Sequence, residues 1–328
     1  MPTVSTIVED FNRLHLTNTV GEAQPRGGRP AKLTQLNPEA RGVLSVDLSG
    51  ARAQAARVNL CGDATALPAG PTVKPGNDAG LIAWITELTQ SQQHMVSKLA
   101  LAVPGVVDQK SGHVRLAPAL GWTDFALGDE LLVATGLEAI LENDVNALAL
   151  AELHYGSGAS FEHVLFIRIG RGIGASLIVG RTLYRGASSA AGEIGYSLLP
   201  DLTGKMKLGA PGPLEDYLLD MSVAFTDANG EVNLASEDAR ATFQAFSATV
   251  GLVLHNLVCL LNPSLVIVAW PADPRGHLMK HLESTWRGPL DVAFRRNSSG
   301  ERAVLRGVAR LALDVLEREL CRAAPPEA

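Results

Sequence analysis

Apolar residues recur in two distinct rhythms along this chain. Val4, Ile7, Val8, Phe11 and Leu14 stand at helical spacing and predict a short amphipathic helix over residues 1–16. Residues 16–36 read as two short extended runs around a Gly/Pro/Arg turn at Arg26–Pro30. From Gly42 the texture changes: Val43, Leu44, Val46 and Leu48 predict a buried strand ending at Asp47–Gly50, with a second strand near Ala53–Leu60. A helix is expected over Asp78–Lys98, then a strand over Leu99–Val103, stopped by Pro104-Gly105. Ile140–Glu142 reads as another strand, and Asn143 opens an Ala/Leu-rich helix over Val145–Leu153. His163–Ile169 and Ala175–Val179 form a strand pair linked by glycines. A long helix follows over Ala239–Leu261, then a strand over Leu265–Trp270 and a final helix over Ala303–Cys321. Strands alternating with helices indicate an α/β fold with mixed sheets. There is no internal repeat, and the tail from Ala323 is expected to fray.

Composition narrows the function classes. With 328 residues, 46% of them hydrophobic and 19% charged, the chain can hold two ordinary domains and is too apolar for disorder. The 28 Lys and Arg against 34 Asp and Glu leave a formal charge of −6, so the whole body is no polycation for nucleic acid, although a local basic element is still allowed. Cys61, Cys259 and Cys321 are far apart with no CxxC, which argues against a disulfide framework and a cysteine-rich zinc site. The acidic, amphipathic start is unlike a signal peptide, and polar residues break the apolar runs early. The expectation is a cytoplasmic protein without a membrane span.

Five segments carry candidate chemistry. Asp47 ends a buried strand, where a carboxylate can orient a metal ion or water near phosphates, or can sit in a hairpin turn. Glu142-Asn143-Asp144 is delivered to a helix start; there Asp144 is either a general base for a hydroxyl or the helix N-cap, and the mechanics of the segment favour the cap. Gly170-Arg171-Gly172-Ile173-Gly174 lets backbone amides approach an anion, or serves as a plain hairpin turn. A strand follows it, so it is not the dinucleotide fingerprint. Glu193 stands between glycines, and Glu215 stands at Pro213-Leu214-Glu215, where a first-turn helix carboxylate is the alternative reading.

The order of these segments is more specific than any one of them. Val103–Asp108 (VPGVVD), Pro118–Trp122 (PALGW), Glu142–Glu152 (ENDVNALALAE), Gly170–Gly174, Tyr184–Gly195 (YRGASSAAGEIG) and Leu260–Val268 (LLNPSLVIV) together resemble the ROK family of bacterial sugar kinases and sugar-responsive repressors. The resemblance covers residues 42–322. It implies a two-domain actin-like (ribonuclease-H-like) ATPase fold with a sugar cleft between the domains. One domain would comprise 42–143 plus 304–322 and the other 144–303. By the same resemblance Asn143, Asp144, Glu193 and Glu215 match hexose-binding positions, and Asp144 matches the kinases' base. Asp47, Gly50, Gly170, Gly172 and Gly174 match the nucleotide loops.

Departures from the family pattern favour the repressor branch. Kinases follow the first aspartate with Gly-Gly-Thr-Lys, whereas here Asp47 is followed by Leu48, Ser49, Gly50, Ala51 and Arg52. Arg171 replaces a threonine, and Ala269-Trp270 replaces a Gly-Gly pair, so an indole is expected to obstruct a nucleotide. Tyr196, Met206, Leu208 and Pro213 replace a His and three Cys, so no structural zinc is expected. Ala119 replaces an asparagine that contacts sugar. Residues 1–41 resemble the recognition helix and wing of a winged helix-turn-helix, with Thr3 and Ser5 on the helix and Arg29 at the wing tip. The chain starts inside that motif, which leaves two expectations: a start further upstream, or a relic. Residues 1–33 hold Arg13, Arg26, Arg29 and Lys32 against Glu9, Asp10 and Glu22, a thin margin for phosphate neutralisation. The expected function is a sugar-responsive regulator with a degenerate kinase body. Its expected partners are a sugar effector, an operator DNA and further copies of the chain. The alternative is an ATP- and magnesium-dependent sugar kinase.

Overall fold

The structure, a computed structural model, describes residues 4–24, 32–199, 206, 209–288 and 290–323. Two five-stranded sheets carry it. In the first, Ala139–Asn143, Lys98–Val103, Gly42–Asp47, Gln54–Asn59 and Ala64–Ala66 lie side by side in that order. The first three strands are parallel, Gln54–Asn59 turns back antiparallel to them, and Ala64–Ala66 turns again. Asp47 and Glu142 both pair in register with Ala102, so they stand on either side of it at the carboxyl edge of the parallel strands. That edge is where open α/β sheets bind ligands.

The second sheet runs Thr182–Tyr184, Ile173–Val179, Val164–Ile169, Leu265–Ala269, Ala293–Arg296. Helix Glu237–Leu261 covers one face through Phe243, Phe246, Val250, Leu254 and Val258. Helix Asp144–Tyr155 covers the other. Helix Ala303–Ala323 lays Leu305, Val308, Ala309, Ala312 and Leu313 on the first sheet, against Val43, Val58, Ala100 and Ala102. The two helices cross tightly: a Cβ on Gly307 would run into the Ala147 carbonyl and the Ala151 nitrogen. An antiparallel meander of Val106–Asp108, His113–Ala117 and Trp122–Phe125 caps the cleft side of the first sheet.

Several expectations need correction. The helix starting at Asp78 ends at Ser91, because Lys98 is already in a strand opposite Val43 and its ammonium bridges Glu138 and Glu319, each at 2.8 Å. The N-cap at the 143–144 junction is Asn143, and Asp144 is the first helical residue. The meander, helices Leu127–Thr135 and His277–Thr285, and the edge strands Ala64–Ala66, Thr182–Tyr184 and Ala293–Arg296 were not anticipated. By length and composition alone helix Glu237–Leu261 passes for a membrane span, since His255 and Asn256 leave its average hydropathy high, but its Phe243, Phe246, Val250, Leu254 and Val258 are buried in the core of the second sheet. Near the N-terminus, helix Val4–Arg13 is followed by the two-stranded hairpin Thr17–Glu22 and Lys32–Leu36.

Candidate functional site

Asn143 ends a strand of the first sheet and organises the junction. Its Oδ1 accepts the Val145 and Asn146 N–H groups at 2.9 and 3.1 Å, and its Nδ2 donates to the Gly105 carbonyl at 2.9 Å. One amide hydrogen is left for a ligand. Asp144 follows, 8% exposed, and its Oδ2 takes a short ion pair from the Arg168 guanidinium. Glu193 precedes the turn Ile194–Tyr196, and Glu215 lies in the first turn of helix Pro213–Val223, accepting the Gly212 N–H at 3.3 Å. Asn143, Asp144, Glu193 and Glu215 all line one cavity of about 430 Å³, together with Ser49, Arg168, Arg171, Gly172 and Gly174. A larger neighbouring cavity of about 650 Å³ adjoins it past Val106, Leu116 and Pro118.

The carboxylates of this cleft titrate high. Burial pushes Asp144 up, the Arg168 charge pulls it back, and Asp47 pushes it up again. Burial raises Asp47 as well, opposed by hydrogen bonding to Ser49, whose N–H donates to Asp47 Oδ1 at 2.8 Å. Glu193 is raised by the protein walls around it and by Glu215 and Asp144, although its side chain faces the open cavity. Glu215 is raised by burial, and the Gly212 N–H partly offsets that. Carboxyl groups lining a cavity suit the recognition of polyhydroxylated ligands, because their oxygens accept from sugar hydroxyls.

The residues matched to nucleotide loops are split. Gly172 and Gly174 line the cavity, whereas Asp47, Gly50 and Gly170 do not. Gly172 is tight for a local reason, since a Cβ there would stand against the Glu215 Oε1. Arg52 is turned away, donating from Nε to the Gly70 carbonyl at 3.1 Å. Trp270 does not stand open in the cleft. It is 8% exposed and stacks at 5.0 Å on Phe246, within an aromatic cluster that includes Phe225 and Phe243. At the zinc positions the Tyr196 hydroxyl donates to the Ala210 carbonyl at 2.8 Å and accepts the Gly209 N–H at 2.9 Å, while Met206 is exposed. Leu208 lies outside the described residues. Tyrosine, methionine and proline supply neither thiolate nor imidazole, so this donor set does not fit zinc. Thr3 and Arg29 also lie outside the described residues, and Ser5 is exposed on helix Val4–Arg13.

Two residues of the site escaped the sequence reading. Arg168 is the lone charge in the strand Val164–Ile169, and a cation in a buried strand must find a partner, which was a readable signal. Glu142, 2% exposed, accepts Arg185 Nε and Nη2 at 2.8 and 2.7 Å, Asn146 Nδ2 at 2.9 Å and the Asn143 N–H at 3.0 Å. It ties the loop that bears Glu193 to the strand end that bears Asn143.

The family model described as "ROK family" matches residues 43–314. The xylose repressor of Caldicellulosiruptor bescii is 24% identical over 309 residues, covering 84% of this chain and 77% of that protein. The glucokinase of Halalkalibacterium halodurans is 27% identical over 205 residues, covering 54% of this chain and 62% of that protein. Among solved structures, a ROK family transcriptional regulator, a homologue of the E. coli MLC protein, superposes with a TM-score of 0.76 at 21% identity, over 98% of this chain and 90% of that one. The same fold thus serves repressors and kinases.

Proposed function

The chain belongs to the ROK family, and on that premise we propose that it is a sugar-responsive transcriptional regulator whose kinase-derived body binds a hexose, pentose or aminosugar effector and does not phosphorylate it. Residues 42–143 plus 304–322 and residues 144–303 are read as the two actin-like halves. Residues 1–41 are read as a partial winged helix, consistent with a helix followed by a β-hairpin. The protein would act in the cytoplasm, as a homodimer or higher oligomer, on operator DNA.

The observation that carries this reading is the state of Asp144. It faces the cavity beside Asn143, Glu193 and Glu215, so it can accept from a sugar hydroxyl, but its carboxylate is already ion-paired to Arg168. Arg168 opposes protonation of that carboxylate, which is the step a general base must perform. Phosphoryl transfer also rests on charge stabilisation around the phosphates, and the first loop offers neither a lysine nor a threonine hydroxyl. Neither a nucleotide, magnesium nor zinc is part of the proposal. The repressor relatives support the regulatory reading, and the glucokinase relatives sustain the alternative.

Thermal-shift titration with xylose, glucose and N-acetylhexosamines tests the sensor role. At least one sugar is expected to raise the melting temperature, and Glu193→Ala is expected to abolish that shift; no response to any of them would refute the role. A coupled ADP-release assay tests the alternative, and turnover of about 1–100 per second would establish a kinase.

A further inference from the structure

Asp144, Glu193 and Glu215 line the cleft, and a fourth carboxylate, Asp47, stands outside its lining but near enough for its charge to act on Asp144. Among the described residues, one cation is bonded to any of them, and that is Arg168 on Asp144. Arg171 also lines the cavity but bonds none of the four. Arg168 comes from the second sheet, while Asp47 and the junction before Asp144 come from the carboxyl edge of the first. The ion pair therefore joins the second sheet to the start of helix Asp144–Tyr155, one residue beyond the edge of the first sheet. Arg168 has room to make this reach because its neighbours in register on either side are Gly174 and Ala269, which are small. Its side chain is 26% exposed and it lines the cavity, so a partly desolvated, permanently charged guanidinium stands among the acids.

Paired carboxylates at a phosphate-transfer site ordinarily share a divalent cation, which carries the largest local charge. Here that place before Asp144 is taken by a side chain. We propose that Arg168 is the cleft's resident cation, holding the Asp144 carboxylate as a fixed acceptor and balancing Asp47 from within the chain, so that a sugar binds without a divalent metal or a nucleotide. Arg168 lies close enough for its charge to act on Asp47 as well as on Asp144. One guanidinium N–H serves Asp144, and the other donors can complete the hydrogen bonding of a ligand hydroxyl. Arg168 is in this sense a positioning residue for the sugar site. The inference rests on the sensor reading for its ligand but not for its test.

The test compares the full-length protein with Arg168→Gln and Arg168→Lys, each in EDTA and in magnesium chloride. Binding of xylose and glucose is followed by calorimetry. For the unaltered protein, the affinity is expected to be the same in both buffers. Arg168→Gln should lose about tenfold or more in EDTA, because a buried carboxylate is left unpaired, and should regain affinity in magnesium as the metal takes the vacated place. Arg168→Lys, which keeps the charge, should stay near the unaltered protein in EDTA. A second readout needs no sugar: magnesium alone should raise the melting temperature of Arg168→Gln and leave that of the unaltered protein unchanged. If the unaltered protein needs magnesium, or if Arg168→Gln gains no magnesium response in the melt, the resident-cation inference is overturned. If no sugar binds while the magnesium response appears only in Arg168→Gln, the sensor reading falls and this inference stands.

Discussion

At the scale of single residues, burial fixes which acids matter for stability and which for ligand. Glu215 has its pKa raised from 4.5 in the folded state, mainly by burial. A carboxyl raised on folding contributes stability fully below about 4.5, and that contribution is lost as pH rises through its higher folded value. Glu215→Gln keeps an oxygen for the Gly212 N–H and removes the charge. It should therefore match the parent near pH 4.5 and become the more stable of the two as the pH is raised, which melts across a pH series will show. Glu152 serves the fold rather than the cavity. It is 1% exposed, and it accepts the N–H groups of Ser157, Ser298 and Ser299 at 2.8, 2.5 and 2.6 Å. Glu152→Ala would orphan these donors and should cost about 3 kcal/mol in urea unfolding.

At the scale of elements, the sequence was informative where one face is buried continuously. Strands Gly42–Asp47, Lys98–Val103 and Leu265–Ala269 are apolar runs bounded by turn residues, and helix Glu237–Leu261 has a helical repeat of large apolar groups. The meander around Trp122 was not legible, because its strands are three to five residues long and their alternation is broken by a register shift at Val106. Asn143, Asp144, Glu193 and Glu215 could be placed on a common site only through motif order. They are spread over 73 residues of sequence, from 143 to 215, and nothing local to any of them reports the others. The helix crossing at Gly307 was equally hidden, since glycine in a helix looks like a weakness until the neighbouring backbone is known. With the Ala147 carbonyl against it, Gly307→Ala must push the two helices apart. The expected loss is about 1–3 kcal/mol, measured by denaturant titration.

At the scale of the whole molecule, a net charge of −6 sits behind an N-terminal helix whose Val4 and Ile7 are 79% and 38% exposed. On the proposed regulator reading this would be the helix that meets DNA, and with its apolar side uncovered it would be poorly held against base edges, whereas attraction to phosphates needs only charge. This 328-residue chain is therefore expected to bind DNA weakly, losing affinity steeply with salt and barely distinguishing a palindrome from random sequence. Gel shifts at two salt concentrations would show this, and tight, selective binding would contradict it. The glycine loop has a different kind of consequence. The nearest atom to a Cβ on Gly172 would be the mobile end of Glu215, so a larger residue there would be accommodated by swinging that carboxylate out of its present pose. Substitution in the glycine loop would thus be felt first across the cavity, as a displaced acid, rather than in the stability of the fold.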